Sequence, residues 1–476
     1  MTTSELRLTF YADDFTGATD ALEGLADNGV RAVLFTNPPD EADVERFDDV
    51  EAVGVAGASR TMTPEEMEAR LPPIFEALGD LDAPITHYKV CSTFDSTPAV
   101  GSIGTAIDVG QEIYESPFVP VSQGTEVPHG RYVAFSNLFA ERDGEVYRID
   151  RHPTMRDHPV TPMHEGDLRR HLGAQTDRPI GRVDHRSLKS YADADEELTE
   201  TVAEDEVVVL DALNTEHLRT IGRLLWTRAT DQSGTLFTVG SSGIEHHALV
   251  SHWDEIGEID RERTYVEKRG PVDQLVVVSG SASSETASQL EWADDNGFRL
   301  VPIDTERLVD PERAAAARND AVETALDIYE RGESVALYSA YGPDDPAIDA
   351  TRATFEDRRI ETTLESYLGR QQGRIFREIL HRTDVTRACV AGGDTSSHVV
   401  SALGLDALEA IAPVAPGAPL CRGYSTTTEA FDGLEIALKG GQVHTEREEF
   451  DYFGVVRAGG IERRSATRRT ADESDA

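Results

Sequence analysis

The chain has 476 residues, enough for two domains rather than one core. Its 88 acidic against 45 basic residues leave a formal charge of −43, so it shows no basic face for a phosphate backbone and nucleic acid is disfavoured as a partner. Acid spread along the whole chain, with only four lysines among the basic residues, fits a halophile's surface that stays hydrated under strong screening.

From the N-terminus, short apolar runs alternate with helical patterns. "LRLTFYA", "RAVLFT", "EAVGVAG" and "THYKVC" read as strands, separated by helix-like segments such as "TGATDALEGLADNG" and "TPEEMEARLPPIFEALG". Further strands are predicted at "RYVAFSN", "EVVVLDA" and "GTLFTVGSSG", the last leading into the helix-like "IEHHALVSHW". This rhythm predicts an α/β fold with largely parallel sheets. Residues 254–273 are charged, lack apolar periodicity and contain Gly-Pro, so they read as a linker between domains at 1–253 and 274–460. The second α/β series opens with "QLVVVSGSASSETASQLEWADDNG" and runs through "SVALYSAYGPDDP" and "RACVAGGDTSSHVVSALGL" to "EIALKGGQVH". Residues 461–476 are polar, mixed in charge and read as a disordered tail.

No apolar run approaches the roughly 20 residues of a membrane span, and no basic region followed by an apolar stretch opens the chain. A cytoplasmic protein without a membrane partner is expected. Cys91, Cys389 and Cys421 are odd in number and show no CxxC spacing, which supports neither a disulfide framework nor a zinc site. They read as small buried residues, two of them inside the motifs below.

Two strand-to-helix junctions of tiny residues mark the second domain. "ACVAGGDTSSHVVSALG" carries Gly392, Gly393, Asp394, Thr395 and Ser396, and "VVVSGSASSETASQL" carries Ser279, Gly280, Ser281 and Ser283. Such junctions offer backbone N–H groups and a helix N-terminus to a phosphate, or simply turn the chain and cap a helix. Neither matches GxxxxGK[ST], and no GxGxxG follows the first strand, which counts against a P-loop and a Rossmann dinucleotide site. Where lysine is scarce, the survivors merit inspection. Lys89 opens "KVCSTFDSTPAVGSIG", a strand followed by a hydroxyl-rich loop, and Lys439 opens "KGGQVH". The basic loop "RIDRHPTMRDHPVTPM" holds Arg151 and His158, with arginines suited to a carboxylate. Its histidines lack the helical i, i+4 spacing of a metal site, and the metal ligands stay unassigned.

These stretches resemble the four-carbon acid sugar kinases. "ADDFTGATDAL", "YKVCSTFDSTPAVGSIG", "HPVTPM", "VSGSASSETASQ", "AGGDTSSHVVSALG" and "KGGQVH" occur in that family's order across nearly the whole chain. The resemblance implies two α/β domains with the active site in the interdomain cleft, the first binding a small-molecule sugar acid and the second ATP with Mg²⁺. It implies phosphorylation of a tetronate or 3-oxo-tetronate, with "CSTFDST" most similar to the 3-oxo-tetronate 4-kinase branch. On this basis Lys89, Ser92, Thr93, Asp95, Ser96, Arg151 and His158 are expected at the sugar acid. Ser279, Ser281, Ser283, Gly392, Gly393, Asp394, Thr395 and Gly441 are expected at the nucleotide.

Asp13 and Asp14 end the first strand, where open α/β sheets place their ligands. Adjacent strand residues point to opposite faces, so one faces substrate and the other holds the turn. Asp14 is taken first as the carboxylate that orients or deprotonates the attacking hydroxyl, Asp13 second, and a helix N-cap is the bland alternative. An NAD-dependent hydroxy-acid dehydrogenase and a nucleotide-binding sugar-acid sensor are the competing classes. Homo-oligomer formation is left open.

Overall fold

The computed structural model describes residues 6–126, 129–142, 144–158, 161–358, 360, 362–443, 445 and 450–462. The tail read at 461–476 therefore lies outside the described residues from 463 onward, as do residues 159 and 160 of "HPVTPM" and residue 444 of "KGGQVH". The chain divides into two compact units, Met1–Thr264 and Tyr265–Ala476. Both are α/β with mostly parallel sheets, as the alternating pattern predicts.

The first unit contains β1 (Leu8–Ala12), β2 (Ala32–Phe35), β3 (Ala52–Ala56), β4 (Ile85–Lys89), β5 (Val119–Ser122), β6 (Arg131–Ala134), β7 (Asn137–Arg142), β8 (Glu145–Arg148), β9 (Ile180–Val183), β10 (Val207–Leu210) and β11 (Leu236–Gly240). Its main sheet runs β2-β3-β1-β4-β11-β5-β10-β9, every neighbour parallel. Helices cover such strands on both faces, which is why β1, β2, β4, β10 and β11 are buried end to end. Chain order reverses direction across the sheet between β1 and β4. Their carboxyl ends thus form the switch point at which open α/β folds bind ligands.

"RYVAFSN" departs from the parallel series. It forms β6 in a separate antiparallel sheet, β6-β7-β8. Phe135 and Ser136 join β6 to β7 with φ of 50° and 63°, the two-residue geometry that an antiparallel hairpin requires and a parallel neighbour cannot use. Asp211 fixes that turn by accepting both amides at 2.6 and 2.8 Å. "IEHHALVSHW" is helical but begins with a π turn, Ile244–Ala248, before the α-helix Leu249–Glu255.

The second unit contains β12 (Val276–Ser279), β13 (Phe298–Pro302), β14 (Ser334–Tyr338), β15 (Arg387–Ala391), β16 (Ala407–Ala415), β17 (Ala418–Tyr424) and β18 (Glu435–Lys439). The order β13-β14-β12-β15-β18 is parallel, and the β16-β17 hairpin adds antiparallel strands beyond β18. Here the switch point lies between β12 and β15, whose ends are the two tiny-residue junctions.

Candidate active site

Where β1 ends, the two aspartates separate into different roles. Asp14 is the N-cap of the helix Phe15–Asp27: its Oδ1 accepts the Gly17 N–H at 2.5 Å, and its Oδ2 accepts Arg60 Nη1 at 2.8 Å. Asp13 is 5% exposed, and its Oδ1 is buried with no hydrogen-bond partner. Its backbone is fixed on both sides, with its N–H on the Lys89 carbonyl and its own carbonyl accepting from Arg60 N–H. Burial, then the charge of Asp14, push the Asp13 carboxyl up to about 7 against the pull of Arg60 and Lys89.

Lys89 ends β4 and is 3% exposed, its Nζ 3.8 Å from Asp20 Oδ2. Burial opposes its charge, but Asp20, Asp14 and Asp13 outweigh that, so its pKa is raised. Gly17 makes room for it, since a Cβ there would lie 2.4 Å from Lys89 Nζ. Asp95 is buried beneath Arg60, accepting Arg60 Nη2 at 2.7 and 2.9 Å, Thr93 Oγ1 at 2.5 Å and Thr161 Oγ1 at 2.6 Å. Burial raises the Asp95 pKa, but Arg60 and these hydroxyls outweigh it and hold the group ionised.

Asp13, Asp14 and Asp95 therefore gather around one guanidinium, with Thr93 bonded to Asp95 and Lys89 within electrostatic reach of Asp13 and Asp14. His158 joins indirectly, its Nδ1 accepting the Thr161 N–H at 3.1 Å. Ser92 is half-buried, and Ser96 is turned to His171 and Gln175, with Oγ 2.8 Å from His171 Nε2 and 3.0 Å from Gln175 Nε2. Arg151 is exposed in the single turn Ile149–Arg151, and among the described residues no hydrogen bond or ion pair ties it to this group. Sequence reading missed Arg60, which lies in "GASRTM" after β3 with no motif to mark it. It also missed Asp20, a buried carboxylate held by Ser242 Oγ, His246 Nε2 and His129 Nε2 at 2.5, 3.0 and 3.1 Å. Burial raises the Asp20 pKa, but His129 and His246 outweigh it, leaving the group well below the usual carboxylate range.

In the second unit, three loops meet beyond adjacent strands β12, β15 and β18. Ser283 caps the helix Ser284–Asp295, and its Oγ also donates to the Gly441 carbonyl at 2.5 Å. Ser281 Oγ lies 3.2 Å from Ser283 Oγ and 3.0 Å from Thr286 Oγ1. Ser279 carries a buried hydroxyl without a partner. Gly392, with φ 121°, adopts a conformation that suits only glycine, and a Cβ there would sit 3.1 Å from Thr395 Oγ1 and 3.3 Å from the Ser281 N. Gly393 opens the helix Gly393–Leu403, with Asp394 exposed and Thr395 buried in its first turn. A Cβ on Gly441 would lie 3.0 Å from Ser281 Oγ. Two helix N-termini and three loops thus form a hydroxyl-lined cradle of the kind that receives phosphates. Beneath it lies Lys439, fully buried, its Nζ donating to Thr286 Oγ1 at 3.1 Å and to the Gly440 carbonyl at 3.0 Å. Burial lowers its pKa to about 8. Among the described residues no group of three or more His, Cys, Asp or Glu side chains is placed to hold a metal ion, and no helix is long and apolar enough to cross a membrane.

Family models described as a sugar-binding N-terminal domain and a nucleotide-binding C-terminal domain match residues 8–248 and 276–447. The chain is 42% identical to a 3-oxo-isoapionate kinase of Paraburkholderia graminis, over 95% of this chain and 94% of that protein. It is 30% identical to a 3-oxo-tetronate kinase of Pseudomonas savastanoi pv. phaseolicola, over 90% and 92%. A solved structure from Salmonella typhimurium LT2 shares the fold, with a TM-score of 0.73, 24% identity and coverage of 95% of this chain and 98% of that one. The chain is an enzyme, a member of the four-carbon acid sugar kinase family.

Proposed function

We propose that this enzyme transfers the γ-phosphate of ATP to the terminal 4-hydroxyl of a 3-oxo sugar acid, with 3-oxo-isoapionate the first substrate to test and 3-oxo-tetronate the second. The observation that carries the chemistry is Asp13: a buried carboxyl with one oxygen unpartnered, at a sheet switch point, beside the Arg60 and Lys89 cations. The substrate hydroxyl oxygen forms its bond to the γ-phosphorus as the bond to the bridging oxygen breaks and ADP leaves, and Asp13 receives the hydroxyl proton. A base with pKa about 7 suits this task. Asp14, engaged by Gly17 and Arg60, holds the turn and orients the guanidinium.

The cradle of Ser281, Ser283, Gly392, Gly393, Thr395 and Gly441 is the proposed phosphate site, with Lys439 beneath it. Mg²⁺ is held in such sites mainly by phosphate oxygens with one or two carboxylates, and the exposed Asp394 is the carboxylate we assign to it. When bound, the ion offsets triphosphate charge. The order of substrates rests on likeness, since the 3-oxo-isoapionate kinase is the more similar relative. An ADP-release assay with 3-oxo-isoapionate, 3-oxo-tetronate, D-threonate and D-erythronate at low and high KCl tests it. Turnover confined to the 3-oxo acids is expected. NAD reduction, or binding of both ligands without ADP release, overturns it in favour of a dehydrogenase or a sensor.

A further inference from the structure

The sugar acid brings a carboxylate, and Arg60 and Lys89, the two cations of the group around Asp13, are spoken for. Arg60 is bound to Asp14 and Asp95, and Lys89 faces Asp20, Asp14 and Asp13. A second arginine at the same sheet edge is placed differently. Arg131 is clamped to the loop after β5 by a reciprocal pair of backbone hydrogen bonds with Thr125, at 2.9 and 3.0 Å. Its Nη1 is spent on the main-chain carbonyls of His129, Gly130 and Glu141. Its Nε is buried without a partner, and among the described residues it forms no salt bridge, although the Glu141 carboxylate lies within electrostatic reach. The Cys91 side chain lies within electrostatic reach of Arg131, as it does of Arg60, Asp95 and Asp14. Gln123, fully buried in the same loop, donates to the Cys91 carbonyl at 2.7 Å while its Oε1 finds no partner.

Two polar atoms therefore stand unmatched on the segment that follows β5, a donor on Arg131 and an acceptor on Gln123, and Gln123 ties that segment to Cys91. The Nε–Nη2 edge of a guanidinium is the edge that grips a carboxylate with two parallel hydrogen bonds. An amide oxygen suits a hydroxyl. We propose that Arg131 receives the carboxylate of the sugar acid and Gln123 one of its hydroxyls, so that Arg131 makes the enzyme select an acid over a neutral ketose. This rests on the kinase reading and names the group that recognises its substrate. A guanidinium already fixed by three carbonyls loses little freedom when it binds, which favours affinity.

The test compares the 3-oxo acid with erythrulose, a neutral ketose, in the full-length wild type and in Arg131→Met, Arg131→Lys and Gln123→Leu. Arg131→Met should raise KM for the acid by about 10- to 100-fold, the range for a lost charged hydrogen bond. KM for ATP and turnover of the ketose should stay near wild type, so the preference for the acid collapses. Arg131→Lys should restore part of the preference, because it keeps the charge and loses the fork. An unchanged acid preference in Arg131→Met, or an equal loss for acid, ketose and ATP, overturns the proposal. Calorimetry of the acid without nucleotide separates it from the kinase reading. Wild type that binds acid but releases no ADP sinks the kinase reading alone, while equal acid affinity in wild type and Arg131→Met sinks this one. Wild type that binds no acid overturns both.

Discussion

Neighbouring aspartates that look equivalent in "ADDFTG" are made unequal by what surrounds them. Asp14 has both oxygens occupied and Asp13 has one vacant. Asp13→Asn should lower kcat by about 10²- to 10⁴-fold, the usual loss of a positioned base, with ATP affinity near wild type. The same variant should gain stability in a defined pH range. The Asp13 carboxyl holds its proton to about 7 when folded but only to 3.8 when free, so the unfolded chain releases that proton first as pH rises. The native state is penalised progressively above pH 3.8, and the penalty is complete above pH 7. Thermal melts of Asp13→Asn against wild type should therefore diverge at pH 8 in favour of the variant and coincide near pH 4. A variant with near-normal turnover, or no gain at pH 8, would place the base elsewhere. The pair itself was legible in the sequence. That one would face substrate and the other hold the turn was also legible; which does which was not, because Asp14 is engaged by Arg60, some 46 positions away in an unmarked loop.

At the scale of elements, the parallel strands were readable because burial on both faces leaves continuous apolar runs such as "VVVS" and "AVGVA". The small antiparallel sheet was not, since its turn is Phe135-Ser136 rather than the Asn-Gly that signals a hairpin, and a remote carboxylate, Asp211, supports it. The two strand-to-helix junctions were legible from glycine and serine, whereas Lys439 was visible only as a rare lysine until the fold put it under Thr286. Gly392→Ala should weaken ATP binding by about 10-fold or more, because a φ of 121° is closed to alanine and the loop must move away from Ser281. Sugar-acid binding should be unaffected, and calorimetry of each ligand separately would expose any general unfolding. Lys439→Met should also weaken ATP binding while raising the melting temperature at pH 7. The ammonium loses its proton at about 8 when folded and 10.5 when free, so it costs the native state most below pH 8, and that cost fades as pH rises toward 10.5. A destabilised variant with intact ATP affinity would make Lys439 a core residue only.

Across the whole molecule, a formal charge of −43 acts on both stability and substrate capture. Like charges on the surface repel one another in the compact state, and the repulsion reaches about 10 Å at 0.1 M salt but only about 3 Å at 1 M. Many arginine–carboxylate pairs among the described residues have at least one exposed partner, such as Arg299 with Glu333 and Arg382 with Glu323, and exposed pairs contribute about 0–1 kcal/mol each. Losing them to screening therefore matters less than relieving the excess of acid. The melting temperature should rise between about 0.1 M and about 2 M KCl. The proposed substrates are themselves anions, and a strongly acidic protein slows their approach. Screening should then raise kcat/KM for the sugar acid and for ATP over the same salt range, with most of the gain below about 1 M, where the screening length changes fastest. The buried contacts at Asp13 and Lys89 are screened far less, so kcat should change less than kcat/KM. Steady-state kinetics across a KCl series, each point paired with a melt, distinguishes the two effects. A kcat/KM that falls with salt while the melting temperature rises would mean that local cations attract the substrates more strongly than the whole surface repels them.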